Sequence, residues 1–179
     1  RPGSASVRIQ AKHFVVAAGA VGSPALLMRS AVPDPSGLLG HRTFLHPVVV
    51  SAGVFTQRVE GYAGAPQTIY SDHYLEQFPI DGPLGFKLET PPLHPVLYST
   101  TLQGFGESHA EKMRDFANVQ VILALIRDGF HPESRGGRVR LRSDGAPFLD
   151  YPLNEVFWES ARRALLAMAE IQFAAGANR

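Results

Sequence analysis

From Asn154 to Ala175 the apolar residues Phe157, Ala161, Ala164, Leu165, Met168, Ile171 and Ala175 recur at spacings of three and four. That period predicts one long helix over 154–175 with a core-facing stripe. Asn154 is a residue type that caps a helix start, and Gly176 one that closes a helix end. Val119 to Ile126 is apolar on both pleated faces except at Gln120, the pattern of a central strand. Gly137 to Arg142 alternates, with Val139 and Leu141 on one face and Arg138, Arg140 and Arg142 on the other. Pro47 to Phe55 reads as a further strand. The expectation is that Val48–Phe55, Val119–Ile126 and Gly137–Arg142 share one mostly antiparallel sheet. The Phe157/Leu165/Met168 stripe of the helix should pack against it.

Elsewhere the pattern is weaker. Short strands are expected at 67–71 and 84–89, and a helix over 106–116. Pro91, Pro92 and Pro95 rule out a helix across their own stretch. Residues 32–47 form a Pro/Gly-rich connector. Near the start, Val7–Ile9 and His13–Val16 read as successive strands.

The stretch from Phe14 to Leu27 carries candidate chemistry. Val15 and Val16 suit a buried strand, and Ala17 to Gly22 are nearly all small, so a ligand or another backbone can approach. Ser23 then reads as an N-cap and Pro24 as the first helical residue. A strand that feeds a helix through such a turn is where open α/β sheets bind phosphorylated cofactors. The plainer alternative is that the turn only packs helix on strand.

Composition narrows the classes. The chain has 179 residues, 45% hydrophobic and 18% charged, which suits one folded domain or one plus a piece of another. A net charge of +1 gives no general attraction to nucleic acid or anionic lipid. No apolar run approaches the roughly 20 residues of a transmembrane helix. There is no cysteine, hence no disulfide or thiolate metal site. His41 and His46 have no carboxylate at ligand spacing, and His73, His94, His109 and His131 are scattered, so no metal site is expected. No serine sits in a Gly-x-Ser-x-Gly elbow. The arginines at 138, 140 and 142 read as a solvated outer face. The sharper alternative is a docking surface for an anionic substrate tail or redox partner, extended by Arg127 and Arg135 if the fold gathers them.

Val15-Val16-Ala17-Ala18-Gly19-Ala20 followed by Ser23-Pro24-Ala25-Leu26-Leu27 resembles the late Rossmann strand and helix of the glucose-methanol-choline (GMC) flavoprotein oxidoreductases. Ser30-Ala31, Gly40 to Pro47, Ser134 to Leu141 and Asp150-Tyr151-Pro152-Leu153 resemble later family segments in the same order, as does the helix ending Ala174–Ala177. Residues 56–115 match no family motif. Ala31, Thr43 and Leu45 replace the usual glycine, asparagine and aspartate, and Pro33-Asp34-Pro35-Ser36 lengthens a loop. These departures resemble the long-chain alcohol and sugar-acid branches more than glucose or choline oxidase.

The resemblance implies an α+β fold, a mostly antiparallel sheet with helices on one face plus a β-α remnant of a Rossmann-like FAD domain. Residues 1–45 would close the FAD-binding domain and 46–179 would form the substrate-binding domain. It implies oxidation of a CH–OH group of an alcohol or sugar-type substrate by hydride transfer to FAD. Ala18, Gly19, Ala20 and Ser23 would contact the cofactor, and His46 would make a structural hydrogen bond. The family's glycine-rich loop and its catalytic histidine have no counterpart here, and the chain starts at Arg1. It is therefore expected to be the middle of a larger enzyme, inactive and flavin-free alone, with the rest of that enzyme as its partner. The rival reading is a non-catalytic binding module that holds an apolar ligand or protein partner on its sheet.

Overall fold

Strand β4 (Val119–Ile126) is apolar on both faces and has a neighbour on each side, as such a strand requires. β1 (Val48–Val54) pairs with it antiparallel on one side, with Val50 opposite Leu123 and Ala52 opposite Val121. β3 (Phe86–Glu89) pairs on the other side, and the two-residue β2 (Tyr70–Ser71) follows, giving the order β1-β4-β3-β2. The computed structural model describes residues 7–65 and 67–179. The chain folds as two compact units, one formed by Arg1–Thr43 with Gly137–Asp150, the other by Phe44–Gly136 with Tyr151–Arg179.

In the second unit, α4 (Glu155–Ala174) covers one face of this sheet. Asn154 caps it, its side-chain oxygen accepting the Phe157 N–H at 3.0 Å, and Gly176 takes a φ of +101° just past its end. Phe157, Ala161, Ala164, Ala167 and Met168 pack on Phe86, Leu88, Ile122, Ala124 and Ile126. The buried stripe is rotated from the expected one. Leu165 and Ile171 are 44% and 41% exposed, while Ser160 and Gln172 are buried. Small side chains let the helix lie close to the sheet, as at Gly53, where a Cβ would come within 3.2 Å of the Gln172 and Ala177 side chains. Gln172 keeps its amide satisfied there. It accepts from the Ser51 hydroxyl at 2.6 Å and donates to the Gln120 side chain at 3.1 Å.

On the opposite face, Val119 and Val121 pack with Leu93 and with Tyr98 of α2 (Pro95–Thr101). The helix begins at Pro95, where a missing N–H costs no intrahelical bond. Prolines 91 and 92 stay outside it. α3 (Glu107–Arg114) falls within the expected 106–116. The α+β class is the one expected.

The first unit corrects two expectations. β5 (Arg138–Leu141) does not join the large sheet. It pairs with β6 (Pro147–Asp150) in a separate hairpin. The turn between them explains this: Gly145 adopts φ +82°, Asp144 accepts the Ala146 N–H at 2.9 Å, and a partner closed locally costs less chain entropy than a distant one. Val139 is fully buried there, and its N–H donates to the Gly40 carbonyl at 2.7 Å. Gly40 has φ +78°, and a Cβ on it would lie 2.8 Å from the Val139 carbonyl oxygen, so only glycine fits. The second correction concerns Val7–Ile9 and His13–Val16, which form no strand. Phe14 and Val15 are 71% and 88% exposed. Among the described residues these segments have no sheet neighbour, and β propensity without a neighbour does not make a strand.

Candidate functional site

The four residues expected to contact a cofactor lie on one turn. α1 (Gly19–Arg29) starts four residues earlier than Ser23, so Ser23 and Pro24 are inside the helix rather than at its cap. Ser23 still ties the turn together, because its hydroxyl accepts the Ala18 N–H at 2.9 Å. Gly19 opens the helix at φ +72°, and a Cβ built on it would meet nothing within 4 Å. Ala18, Gly19 and Ala20 are exposed and Ser23 is half-buried.

The N–H groups of a first helical turn lack intrahelical acceptors and carry the positive end of the helix dipole. No acidic residue lies in this first turn. The residues present therefore fit the diphosphate of a dinucleotide: open backbone donors, no side chain at Gly19, and no opposing charge. The turn offers backbone N–H donors and contains no side chain that moves a proton.

The second unit holds two further sites that the sequence alone does not reveal. A cavity of about 580 Å³ is lined by Asp128, Glu133, Ser134, Arg135, Asn154 and Phe157. Asp128 is its hub. One carboxylate oxygen accepts the Ser134 hydroxyl and the Gly129 N–H, the latter at 2.7 Å, and the other accepts the Tyr151 hydroxyl. Burial, then the hydrogen bond to Asp128, push the Tyr151 phenol up to about 12. It remains a donor across the physiological range and is not a general base. Ser134 was legible only as part of the Ser134-Arg135-Gly136 motif. Its link to Asp128 and Tyr151 depends on tertiary structure.

The other cavity, about 210 Å³, lies between the open face of the sheet and α2. Val50, Ala52, Val121 and Leu123 form its sheet wall, and Leu93 and Leu97 lie among its other lining residues. Register alone brings the four strand residues together. The one available signal was the alternation that puts Val50 and Ala52 on one face of β1.

Other candidates resolve differently. His46 is exposed and makes no side-chain hydrogen bond among the described residues, against the structural role expected of it; its neighbour Leu45 donates its backbone N–H to Tyr151 Oη at 3.3 Å instead. His109 and His131 meet the carbonyls of Ser99 and Asp81, each at 2.9 Å. Arg138, Arg140 and Arg142 are exposed, as the solvated-face reading holds. Arg140 reaches Asp150 at 3.4 Å, and the Arg140 and Arg142 guanidinium carbons stand 5.9 and 5.8 Å from the Phe148 ring centre. Arg127 and Arg135 belong to the other unit.

The chain is α+β with an exposed helix start at Gly19, and comparison with known proteins adds what it is similar to. Residues 2–48 match the model of the GMC oxidoreductase family. The chain is 28% identical over 179 residues to the long-chain-alcohol oxidase FAO4A of Arabidopsis thaliana, covering 95% of this chain and 23% of that protein. To FAO1 of the same plant it is 28% identical over 140 residues, covering 76% of this chain and 18% of that protein. An uncharacterized GMC-type oxidoreductase of Mycobacterium tuberculosis is 31% identical over 179 residues, covering 99% of this chain and 26% of that protein. The chain is similar to the GMC oxidoreductases, a family that binds FAD in the intact enzyme, and it spans a quarter or less of the length of the first two relatives. Among the described residues no helix is long and apolar enough to cross a membrane.

Proposed function

We propose that this chain is part of an FAD-dependent alcohol oxidoreductase, and that it joins the last turn of the flavin-binding domain to most of the substrate-binding domain. Its similarity to long-chain-alcohol oxidases over nearly all of its length carries this reading. Residues 1–45 are assigned to the flavin side and 46–179 to the substrate side. FAD, when bound, supplies the hydride acceptor for the CH–OH carbon. The share of this chain is positioning. The backbone at Ala18, Gly19 and Ala20 receives the diphosphate or adenosine side, and Ser23 holds the turn by accepting the Ala18 N–H. The sheet of the second unit walls the substrate site, and the substrate is an alcohol with an apolar chain.

The test uses the full-length enzyme with Gly19→Val and Gly19→Asn. Among the described residues nothing lies within 4 Å of a Cβ built on Gly19, so a side chain there starts in open space. Asn tolerates a positive φ better than other residues and separates backbone strain from cofactor exclusion. Flavin per folded molecule should drop sharply in both variants. Full flavin content in folded Gly19→Asn would remove the cofactor role from this turn.

A further inference from the structure

We propose that the free edge of β1 takes a further antiparallel strand, supplied by the rest of the enzyme, which extends the ladder that Ala177–Arg179 begin. That the strand comes from the same enzyme rests on the reading above. The first observation is which way the β1 backbone points. Pro47 accepts the Ile126 N–H at 2.9 Å, and Phe55 donates its N–H to the Asn118 carbonyl at 2.9 Å. The bonding direction of an antiparallel strand alternates from residue to residue, so the odd-numbered positions bond toward β4. Val48, Val50 and Ala52 therefore aim their N–H and C=O groups away from β4. These groups have no partner among the described residues, and all three residues are exposed.

The two edges of this sheet are also built differently. β2, at one end, is only two residues long, and a strand that short offers little to pair with. β1, at the other end, runs for seven residues without a charge or a proline. Proteins blunt an open edge by shortness, by charge, by proline or by covering it. β1 has none of the first three. Its construction calls for a cover.

What has already started on that edge selects the occupant. Ala177 bridges Phe55 in the antiparallel sense. Asn178 donates its N–H to the Val54 carbonyl at 2.9 Å, and the Val54 N–H donates to the Arg179 main-chain oxygen at 2.7 Å. These contacts advance along β1 toward Ala52, Val50 and Val48. An extended polypeptide on the same line meets each outward N–H with a carbonyl and each outward C=O with an N–H. A helix, whose own backbone groups are already paired, does not. This chain spans 23% and 26% of the length of two relatives, so a whole enzyme of that size has chain to supply the strand.

The test is amide hydrogen exchange on the full-length enzyme, resolved to single residues. Val49, Ser51 and Gly53 bond toward β4 and serve as the internal reference. The Val50 and Ala52 amides should exchange at least about a hundredfold more slowly than a free peptide. Exchange at the free-peptide rate beside a protected reference would overturn the proposal. Val50→Pro removes one outward N–H, a change that an open edge tolerates and a paired one does not. It should lower the unfolding temperature of the full-length enzyme by several degrees. An unchanged unfolding temperature would overturn the ladder, because the cover would then make no bond to that N–H. If Val50→Pro does not fold, exchange on the parent enzyme decides. Protection that disappears when the enzyme is diluted to monomers would assign the edge to a second copy and overturn the strand proposed here. Flavin content and alcohol oxidation are measured on the same preparation. Protected amides in an enzyme without flavin or activity refute the reading above and leave the strand standing; bare amides in an active flavoenzyme refute the strand alone.

Discussion

Tyr151 donates its phenolic hydrogen to Asp128 and accepts the Leu45 N–H on the same oxygen at 3.3 Å. Ser134 and Gly129 bind the remaining Asp128 oxygen. Asp128 and Tyr151 together thus tie the 128–134 segment to Tyr151 and, through the phenol, to Leu45.

This bond makes stability depend on alkaline pH. The phenol is pushed up to about 12 in the fold, above its unfolded value of about 10. A raised pKa stabilises the fold fully below the unfolded value, and that stabilisation is lost as pH climbs through the folded one. The stability gap between the parent and Tyr151→Phe should therefore be largest near neutral pH and shrink from about pH 10 to about pH 12. Tyr98, also raised by burial, is present in both proteins and cancels. Chemical denaturation across that range gives the answer, and parallel curves would refute the assignment.

Two buried polar residues of α4 should respond in opposite directions. Gln172 is 4% exposed and bonded to Ser51 and Gln120, so Gln172→Leu strands their polar atoms and should cost about 1–3 kcal/mol. The Ser160 hydroxyl is fully buried with no partner among the described residues. Ser160→Ala removes that unpaired group and improves helix propensity, so a gain of about 0.5–1 kcal/mol is expected. Urea unfolding measures both, and a loss on Ser160→Ala would reveal a partner for that hydroxyl.

Glycine substitutions should separate crowding from conformation. A Cβ on Gly85 would overlap the Leu75 carbonyl group, whose segment is held by the Phe86 N–H bond to Tyr74 at 3.2 Å. Gly85→Ala should cost more than about 3 kcal/mol or prevent folding. Gly19→Ala meets open space and bears only the positive φ, about 1–2 kcal/mol. Equal losses measured by thermal unfolding would contradict the crowding at Gly85.

The isolated chain should not retain flavin. One helix start offers a few N–H donors, and tight dinucleotide binding also uses a glycine-rich loop that this sequence lacks. Purified protein is expected to show no stoichiometric absorbance in the visible flavin bands. Stoichiometric flavin would mean that the Ala18–Ser23 turn binds more strongly than one helix terminus can.

What the sequence made legible follows from physics acting over short range. The Val119–Ile126 run and the 154–175 helix announce themselves because burial on two faces, or on one stripe, leaves a periodic trace. The stripe still came out rotated: apolar size points to Leu165, but close packing on the sheet selects Ala164 and Ala167. β5 was placed in the wrong sheet because alternation reports a face and not a partner; the partner was encoded in Asp144-Gly145. Of the candidate sites, the Ala18–Ser23 turn is a local motif and could be found. The smaller, apolar cavity depends on the Val50–Leu123 register, and the Asp128 hub on contacts distant in sequence.

β1 also governs the order in which this chain can assemble. Its strand partner arrives roughly seventy residues later, and at its far end Asn178 and Arg179 bond to Val54 at 2.9 and 2.7 Å. During synthesis, Val48–Val54 therefore leaves the ribosome well before β4, the strand it pairs with. A message cut short before Val119 would release an aliphatic ribbon with its β4 edge bare, the kind of segment that chaperones hold and that aggregates when they do not.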